Sequence, residues 1–460
     1  MPRPPNLLFV FSDQQRRHAL GCTPGGDPVL TPRLDHFATE SVVVDHGLAC
    51  APICTPNRGI LLTGRYPTRT GVYANDQGLA AGTPTLGDLF RNAGHHTGYI
   101  GKWHIHAGER FVPRPFRAGF DFWHATNCNH DTFTRRYWEE SATPAVDEPG
   151  WQPPHETDLA LRFLQTRPRE RPFALFVSYT PPHNTHGPGF TPHRDVMLPP
   201  DLDAEMRAVG YTTEMQYHAP AEFLSRYGDV SRLPRRANVT GDYGHEAVPG
   251  YYAGCTAIDH EFGRLLDGLE AEGLASDTLA VFTSDHGELL GSHGRMQKST
   301  WHEESVGVPV LVRWPGKLSP HHTPLLFSSL DWAPTLAALA GIAPLAATDG
   351  TDLSEALRTG DLADAPCEAL LCYFAMRDTQ LAARQGDTAC GWRALRTHDA
   401  CYVVRREGDG GGLVHLRYDL DADPFQLRPS VSENPLDSDL LARLRARLLS
   451  VADPFARLLG

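Results

Sequence analysis

The chain has 460 residues, of which 41% are hydrophobic and 21% charged, so it is long enough for a large folded domain and a smaller one. Its formal net charge of −13 argues against nucleic-acid and anionic-membrane partners, which require a basic face, although an anionic substrate can bind where positive side chains gather. The nine cysteines are odd in number and lack zinc-finger spacing, so we expect neither a disulfide framework nor a redox pair of Cys50 and Cys54.

The beginning of the chain predicts no secretion signal. The apolar run Asn6–Phe11 is too short for a signal peptide and continues directly into polar residues without a cleavage site. No apolar run approaches the ~20 residues that a membrane-spanning helix needs. We therefore expect a cytoplasmic protein, although a chain whose leader had been removed would look the same.

Four short apolar runs predict strands that are buried on both faces of a parallel sheet. They are Leu7–Phe11, Thr97–Ile100, Phe173–Val177 and Leu279–Thr283. Each run is followed by polar residues capable of chemistry, which are Asp13 and Gln14, Lys102 and His104, His183, and Asp285 and His286. Because ligands of open α/β sheets bind beyond the carboxyl ends of the strands, these residues predict one shared site.

Helical patterns lie between the predicted strands and indicate an α/β sandwich. They cover Pro84–Ala93, Thr256–Leu269 and Asp331–Leu339. The segments 139–160 and 187–250 have no strong period and are rich in Pro, Gly and charge, so we expect long loops over the mouth of the site.

The composition changes after Gly341, where residues 342–365 are typical of a linker. Short strands and a closing helix follow, and they predict a small antiparallel sheet. The strands are Leu370–Phe374, Trp392–Arg396, Tyr402–Arg405 and Val414–Tyr418, with a glycine-rich turn before the last, and the helix covers about Asp437–Val451. The expected architecture is a catalytic α/β domain, 1–345, with a large mixed, mostly parallel sheet between helices, and a smaller C-terminal α+β domain, 346–460.

The run Cys54-Thr55-Pro56-Asn57-Arg58 is the most informative motif. This C-x-P-x-R string and its continuation to Pro67 resemble the core signature of the type I sulfatases, members of the alkaline phosphatase superfamily. The resemblance implies that a formylglycine-generating enzyme oxidises Cys54 to an aldehyde, whose hydrate provides the nucleophile. The alternative is a buried free cysteine before a short helix, since free Cys often acts as a small hydrophobic residue.

The same resemblance implies a divalent metal bound by Asp13, Gln14, Asp285, His286 and the converted residue 54. The first pair usually consists of two aspartates in the family, and Gln at the second place is shared with phosphonate monoester hydrolases and some branches of the sulfatases. Its amide oxygen still suits a hard cation. Ca²⁺ is the expected ion, and the imidazole makes Mn²⁺ the alternative.

The motif Gly101-Lys102-Trp103-His104 resembles the G-K-W-H motif of the sulfatases. The resemblance implies that Lys102 pairs with sulfate oxygens and that His104 contacts the formylglycine hydroxyl and takes its proton. Arg58 would lie over the nucleophile. Pro56 suits the first turn of a helix, which would place Cys54 at a helix N-terminus, a natural site for anions.

Other matched positions imply further catalytic and substrate-binding residues. His183 would protonate the departing alcohol, Lys298 would clamp sulfate, and Asn75 would contact the substrate. Arg393 and Arg396 are interpreted as domain-packing residues.

The predicted function is hydrolysis of a small sulfate monoester, with the aryl, sugar, choline-like and small alkyl sulfates all open. Phosphonate monoester or phosphodiester hydrolysis is the alternative, favoured by Gln14, His286 and Asn75 and opposed by Lys102 and His104. A catalytically silent, metal-stabilised binding protein is the rival from another class. The sequence does not determine the oligomeric state.

Overall fold

The computed structural model describes residues 3–108, 110–186, 215–228, 232–241, 245–374, 388–406 and 411–460. The strands described there, β1 to β17 in chain order, are Asn6–Asp13, Val42–Leu48, His96–Lys102, Phe122–Thr126, Thr134–Tyr137, Val146–Pro149, Phe173–Pro182, Thr185–His186, Met215–Gln216, Thr278–Ser284, Val310–Arg313, His321–Ser328, Glu368–Tyr373, Trp392–Thr397, Ala400–Arg406, Leu413–Asp419 and Ser430–Ser432. The α-helices are Pro32–Thr39, Cys54–Thr63, Pro67–Thr70, Leu86–Asn92, Gln152–Thr166, Ala221–Leu224, Val248–Ala271, Glu303–Val306, Trp332–Ala340, Ser354–Thr359 and Ser438–Ser450. None of these helices is long and apolar enough to cross a lipid bilayer.

A large sheet of eight strands organises the molecule in the order β12-β2-β11-β10-β1-β7-β3-β4. Its central strands β10, β1, β7 and β3 are neighbours and run parallel. Within this sheet only β11 runs antiparallel to its neighbours. The four apolar runs of the sequence are these central strands, so the predicted mostly parallel sheet is confirmed.

Each central strand is buried on both faces because its apolar side chains alternate between two hydrophobic cores. In β1, Phe9 belongs to the core that the helices Cys54–Thr63 and Trp332–Ala340 cover. Val10, one position further, belongs to the core under the helix Val248–Ala271. The result is a helix–sheet–helix sandwich whose strand ends are fixed from both sides.

The segment 139–160 is not a long loop, contrary to the sequence prediction. It contains β6 and enters the helix Gln152–Thr166. Pro153 is tolerated in the first turn, where its missing N–H has no intrahelical partner to lose. The helix packs Phe163 into the core, but polar residues such as Glu156 are also buried on it, which weakens the apolar period.

The other segments predicted to lack regular structure are also only partly loops. Residues 342–365 contain the helix Ser354–Thr359, whose Leu357 packs into the core of the large sheet. Most of 187–250 lies outside the described residues, and its described part includes the helix Ala221–Leu224. The domain boundary at 345/346 stays a prediction.

The C-terminal region forms a second, antiparallel sheet in the order β13-β14-β15-β16-β17. Its first four strands correspond to the four predicted ones, and the helix Ser438–Ser450 packs Leu444 and Leu448 against them. Two of the four glycines of the predicted turn fall at 407–410, outside the described residues. The sheet meets the large domain directly, since the Cys372 N–H donates to the Cys50 carbonyl oxygen at 2.8 Å.

Candidate active site

The carboxyl ends of β1, β3, β7 and β10 meet the first turn of the helix Cys54–Thr63. This helix begins at Cys54 because Ile53 before it is extended, with φ −157° and ψ 143°. The predicted substrate contact Asn75 uses its amide oxygen to accept the Thr55 N–H at 3.0 Å. It thereby satisfies one of the donors that a helix leaves unpaired at its start and holds residue 54 in place.

Four buried side chains form a cluster that fits a cation. Asp13, Cys54, Asp285 and His286 each offer one ligand atom, and these atoms lie within 4.8 Å of one another. The Cys54 Sγ lies 3.1 Å from the Nε2 of His286 and 3.8 Å from the Oδ1 of Asp13. His286 Nδ1 lies 3.0 Å from the Gly287 carbonyl oxygen, so Nδ1 carries a hydrogen, and Nε2 is the ring nitrogen that faces the cluster.

Gln14 borders this cluster in a left-handed backbone conformation, with φ 69°. Its main-chain N–H donates to the Oδ1 of Asp285 at 3.0 Å. Its side-chain oxygen accepts a hydrogen bond from Lys298, whose Nζ lies 3.5 Å from the Cys54 Sγ. Main chain and side chain thus both face the predicted metal ligands.

Arg58 and Lys102 bind the carboxylates of the cluster. Arg58 donates to the Oδ2 of Asp285 at 2.8 Å and to the Oδ2 of Asp13 at 3.1 Å. Lys102 donates to the same oxygen of Asp13 at 2.6 Å. Burial opposes ionisation of Asp13, but the charges of Lys102 and Arg58 outweigh it and hold the pKa of this carboxyl well below its ordinary value. Arg58 therefore binds both carboxylates, and Lys102 has Asp13 as its partner.

Lys298 and His183 form a pair beside residue 54, with 3.0 Å between Nζ and Nε2. His183 Nδ1 lies 2.6 Å from the Asn184 carbonyl oxygen, so Nδ1 carries the hydrogen and Nε2 accepts from Lys298. Burial and the Lys298 charge lower the pKa of His183 well below its ordinary value. The ring is therefore neutral and accepts a hydrogen bond from the partly buried Lys298.

His104 is only 2% exposed, and its ring nitrogens have no hydrogen-bond partner within the described part of the chain. Burial and the charges of Lys102 and Arg58 lower its pKa well below the ordinary value. A neutral imidazole with both nitrogens unpaired can accept a proton from a group that enters the site.

Three residues at the site were missed by the sequence reasoning. His130 follows the short strand β4, and its ring stacks on His183 with 4.8 Å between ring centroids. A polar run after a fifth strand could have revealed it, but β4 is short and half polar. Glu288 and Tyr217 both bind the Gln14 amide. Glu288 follows His286 in the same motif, whereas Tyr217 gave no signal.

Known proteins resemble this chain over nearly its whole length. The family described as Sulfatase matches residues 5–342, and the one described as N-sulphoglucosamine sulphohydrolase, C-terminal, matches residues 291–396. The ulvan-active sulfatase of Formosa agariphila is 31% identical, covering 99% of this chain and 83% of that protein. The endo-4-O-sulfatase of Bacteroides thetaiotaomicron is 30% identical, covering 74% and 70%. A solved structure from work on glycosaminoglycan metabolism by Bacteroides thetaiotaomicron has a TM-score of 0.84 at 26% identity and covers 99% of this chain and 98% of its own.

Proposed function

This chain belongs to the sulfatase family of the alkaline phosphatase superfamily and is a sulfuric ester hydrolase, and we propose that it cleaves carbohydrate sulfate esters with a formylglycine at position 54 and a divalent cation. The cluster of Asp13, Cys54, Asp285 and His286 is the observation that carries this proposal. The relative named as an ulvan-active sulfatase, and another named as an N-acetylglucosamine-6-O-sulfatase, support a sulfated sugar as the substrate.

The donor set fits a divalent cation. Asp13 and Asp285 supply carboxylate oxygens, His286 supplies the Nε2 of its imidazole, and Gln14 would add an amide oxygen. Ca²⁺ suits the oxygens, and the imidazole makes Mn²⁺ the second candidate. When bound, the cation polarises a sulfate oxygen and favours ionisation of the attacking hydroxyl.

Residue 54 supplies a geminal diol when it is converted to hydrated formylglycine, so that one hydroxyl can attack sulfur and the other allows sulfate to leave as the aldehyde re-forms. A formylglycine-generating enzyme is therefore a required partner. The buried thiol stands at the N-terminus of a helix, and the positive end of the helix dipole favours the negative charge of the substrate.

The surrounding side chains have separate roles in positioning, charge neutralisation and proton transfer. Arg58 and Lys102 fix the carboxylates. Lys298, which faces residue 54, neutralises the sulfate oxygens, and the Lys298–His183 pair supplies the proton for the departing alcohol. His104 accepts the proton of the second hydroxyl.

The mass of the tryptic fragment Leu34–Arg58 tests the conversion, and sulfate release from a panel of sulfated saccharides tests the activity. We expect a formylglycine mass and turnover of at least one sulfated sugar. Cys54→Ala should abolish turnover and leave the thermal unfolding temperature close to that of the wild type. Turnover at the wild-type rate by this variant would contradict the proposal.

Removal of divalent ions tests the metal. We expect chelation to reduce sulfate release and Ca²⁺ or Mn²⁺ to restore it. The neutral rings of His183 and His104 cannot supply the positive charge that is lost with the cation. Full activity in a sample shown by elemental analysis to be metal-free would contradict the assignment.

Phosphonate monoester or phosphodiester hydrolysis is the second candidate, because Gln14 replaces the usual second aspartate and His286 completes the pair with Asp285. The Lys102–Asp13 contact opposes it, since this lysine belongs to the motif that resembles the sulfatases. Rates on matched aryl sulfate and aryl phosphonate esters distinguish the two.

A further inference from the structure

Glu288 is completely buried beside the candidate metal site, and four donors surround its carboxylate. Its Oε1 accepts hydrogen bonds from the main-chain N–H groups of Leu290 at 2.8 Å and Gln297 at 2.5 Å. Its Oε2 accepts from the Tyr217 hydroxyl at 2.6 Å and from the side-chain amide of Gln14. The carboxylate is therefore fixed in one position, and Gln14 is its one neighbour in this set that is a predicted metal ligand.

These contacts permit only one orientation of the Gln14 amide. Its nitrogen donates to Glu288 and, at 3.0 Å, to the Tyr217 hydroxyl, so both of its hydrogens are used. Its oxygen then lies on the opposite side and accepts from Lys298. A flipped amide would set its hydrogens against an ammonium group and its oxygen against a carboxylate, and both contacts are repulsive.

We propose that Glu288 and Tyr217 are positioning residues that turn the Gln14 side-chain oxygen toward the divalent cation. An aspartate in this place would offer two equivalent oxygens and need no such control. An amide offers one oxygen and one nitrogen, and only the oxygen can bind the ion. Glutamine at position 14 therefore requires a partner that binds its nitrogen, and Glu288 is that partner. This inference rests on the metal-dependent function proposed above.

Cation affinity tests the inference without relying on turnover. Ca²⁺ and Mn²⁺ would be titrated by calorimetry into metal-stripped wild type, Glu288→Gln and Tyr217→Phe, with circular dichroism as the check of folding. Glu288→Gln should weaken binding by about tenfold to a hundredfold, the range seen when partners of metal ligands are removed. Tyr217→Phe removes one hydrogen bond and should weaken binding by about fivefold.

Tyr227→Phe is the matched control. The Tyr227 hydroxyl contacts Thr256 and accepts the Leu30 N–H, and neither of these residues touches Gln14. Like Tyr217→Phe, the control removes one tyrosine hydroxyl, but this hydroxyl does not contact Gln14. Its cation affinity should therefore equal that of the wild type.

A double variant separates orientation of Gln14 from support of the loop at Leu290 and Gln297. Adding Gln14→Glu to Glu288→Gln exchanges carboxylate and amide, and it should recover most of the lost affinity because a carboxylate needs no orientation. Loop support alone predicts no recovery.

If wild type binds a cation and both Glu288→Gln and Tyr217→Phe bind it equally well, this inference is wrong and the metal-dependent function stands. If Glu288→Gln does not fold, unchanged binding by Tyr217→Phe overturns the inference by itself. Absence of cation binding by the wild type overturns the metal-dependent function together with this inference.

Discussion

The two buried aspartates of the site use their carboxylate oxygens for different purposes. In Asp13, Oδ2 accepts from Lys102 and Arg58, whereas Oδ1 lies 3.6 Å from the Nε2 of His286. In Asp285, Oδ2 accepts from Arg58, and Oδ1 also lies 3.6 Å from the same nitrogen. One oxygen of each carboxylate therefore binds the positive side chains, and the other faces the His286 nitrogen, where the proposed ion would bind.

Glu156 allows a prediction about pH, because burial raises the pKa of this carboxyl from 4.5 to about 8. The folded protein keeps the proton where the unfolded chain has released it, so stability is full below about pH 4.5 and falls as the pH rises through about 8. Urea unfolding at about pH 5 and about pH 8.5 should show a loss on the order of a few kcal/mol for wild type. Glu156→Gln, which has no proton to lose, should show a much flatter profile. Parallel profiles would contradict the raised pKa.

At this scale the sequence predicted which residue types meet but not how they pair. Oxygen and imidazole ligands are restricted by the chemistry of the cation, so Asp13, Asp285 and His286 could be named from their motifs. The contacts of Asn75 with Thr55 and of Lys102 with Asp13 depend on strand register and rotamers, which no motif encodes.

Secondary-structure elements were predictable where both faces of the element are buried in a hydrophobic core. A strand between two cores must be apolar at every position, so β1 and β10 give continuous apolar runs. The helix Gln152–Thr166 was missed because its inward face includes Glu156, and β4 because it is short and contains His124. In both cases buried polar groups interrupt the pattern on which the prediction depends.

The helix Gln152–Thr166 should nevertheless contribute strongly to stability. Its Phe163 is 1% exposed, and its ring lies 4.9 Å from the His96 ring and 5.1 Å from the Phe122 ring, measured between centroids. Phe163→Ala should lower the free energy of unfolding by about 3–5 kcal/mol, measured by chemical denaturation. Arg162→Ala, exposed on the same helix, should change it by less than about 0.5 kcal/mol. Equal effects would contradict this packing.

Across the whole molecule, Glu303 connects the large domain to the C-terminal sheet. Its Oε1 accepts from Arg396 at 2.7 Å, and its Oε2 accepts from Arg17 at 3.3 Å. Burial opposes ionisation, but the two arginines lower the pKa of Glu303 to about 2. The domain-packing interpretation is confirmed for Arg396. Arg393 instead binds Asp453 within the C-terminal part.

Arg396→Ala should destabilise the protein by about 3 kcal/mol, because it leaves the buried Glu303 carboxylate with only one of its two arginine partners. Thermal and urea unfolding measure the change. The exposed pair of Arg114 and Glu140 provides the comparison, and Arg114→Ala should cost less than about 1 kcal/mol. A small effect of Arg396→Ala would mean that Arg17 alone compensates Glu303.

The burial of Cys54 sets an order of events in the producing cell. The thiol is 1% exposed at the start of a helix that Asn75 holds, so an oxidising enzyme cannot reach it once the central strands have paired. Conversion of residue 54, as proposed, must then precede folding. Under that proposal, folding and maturation would compete for every new chain, and a molecule that folds first would stay inactive. The yield of active protein would then depend on the rate of conversion of residue 54 relative to the rate of folding. Slower synthesis or more maturation enzyme should raise this yield.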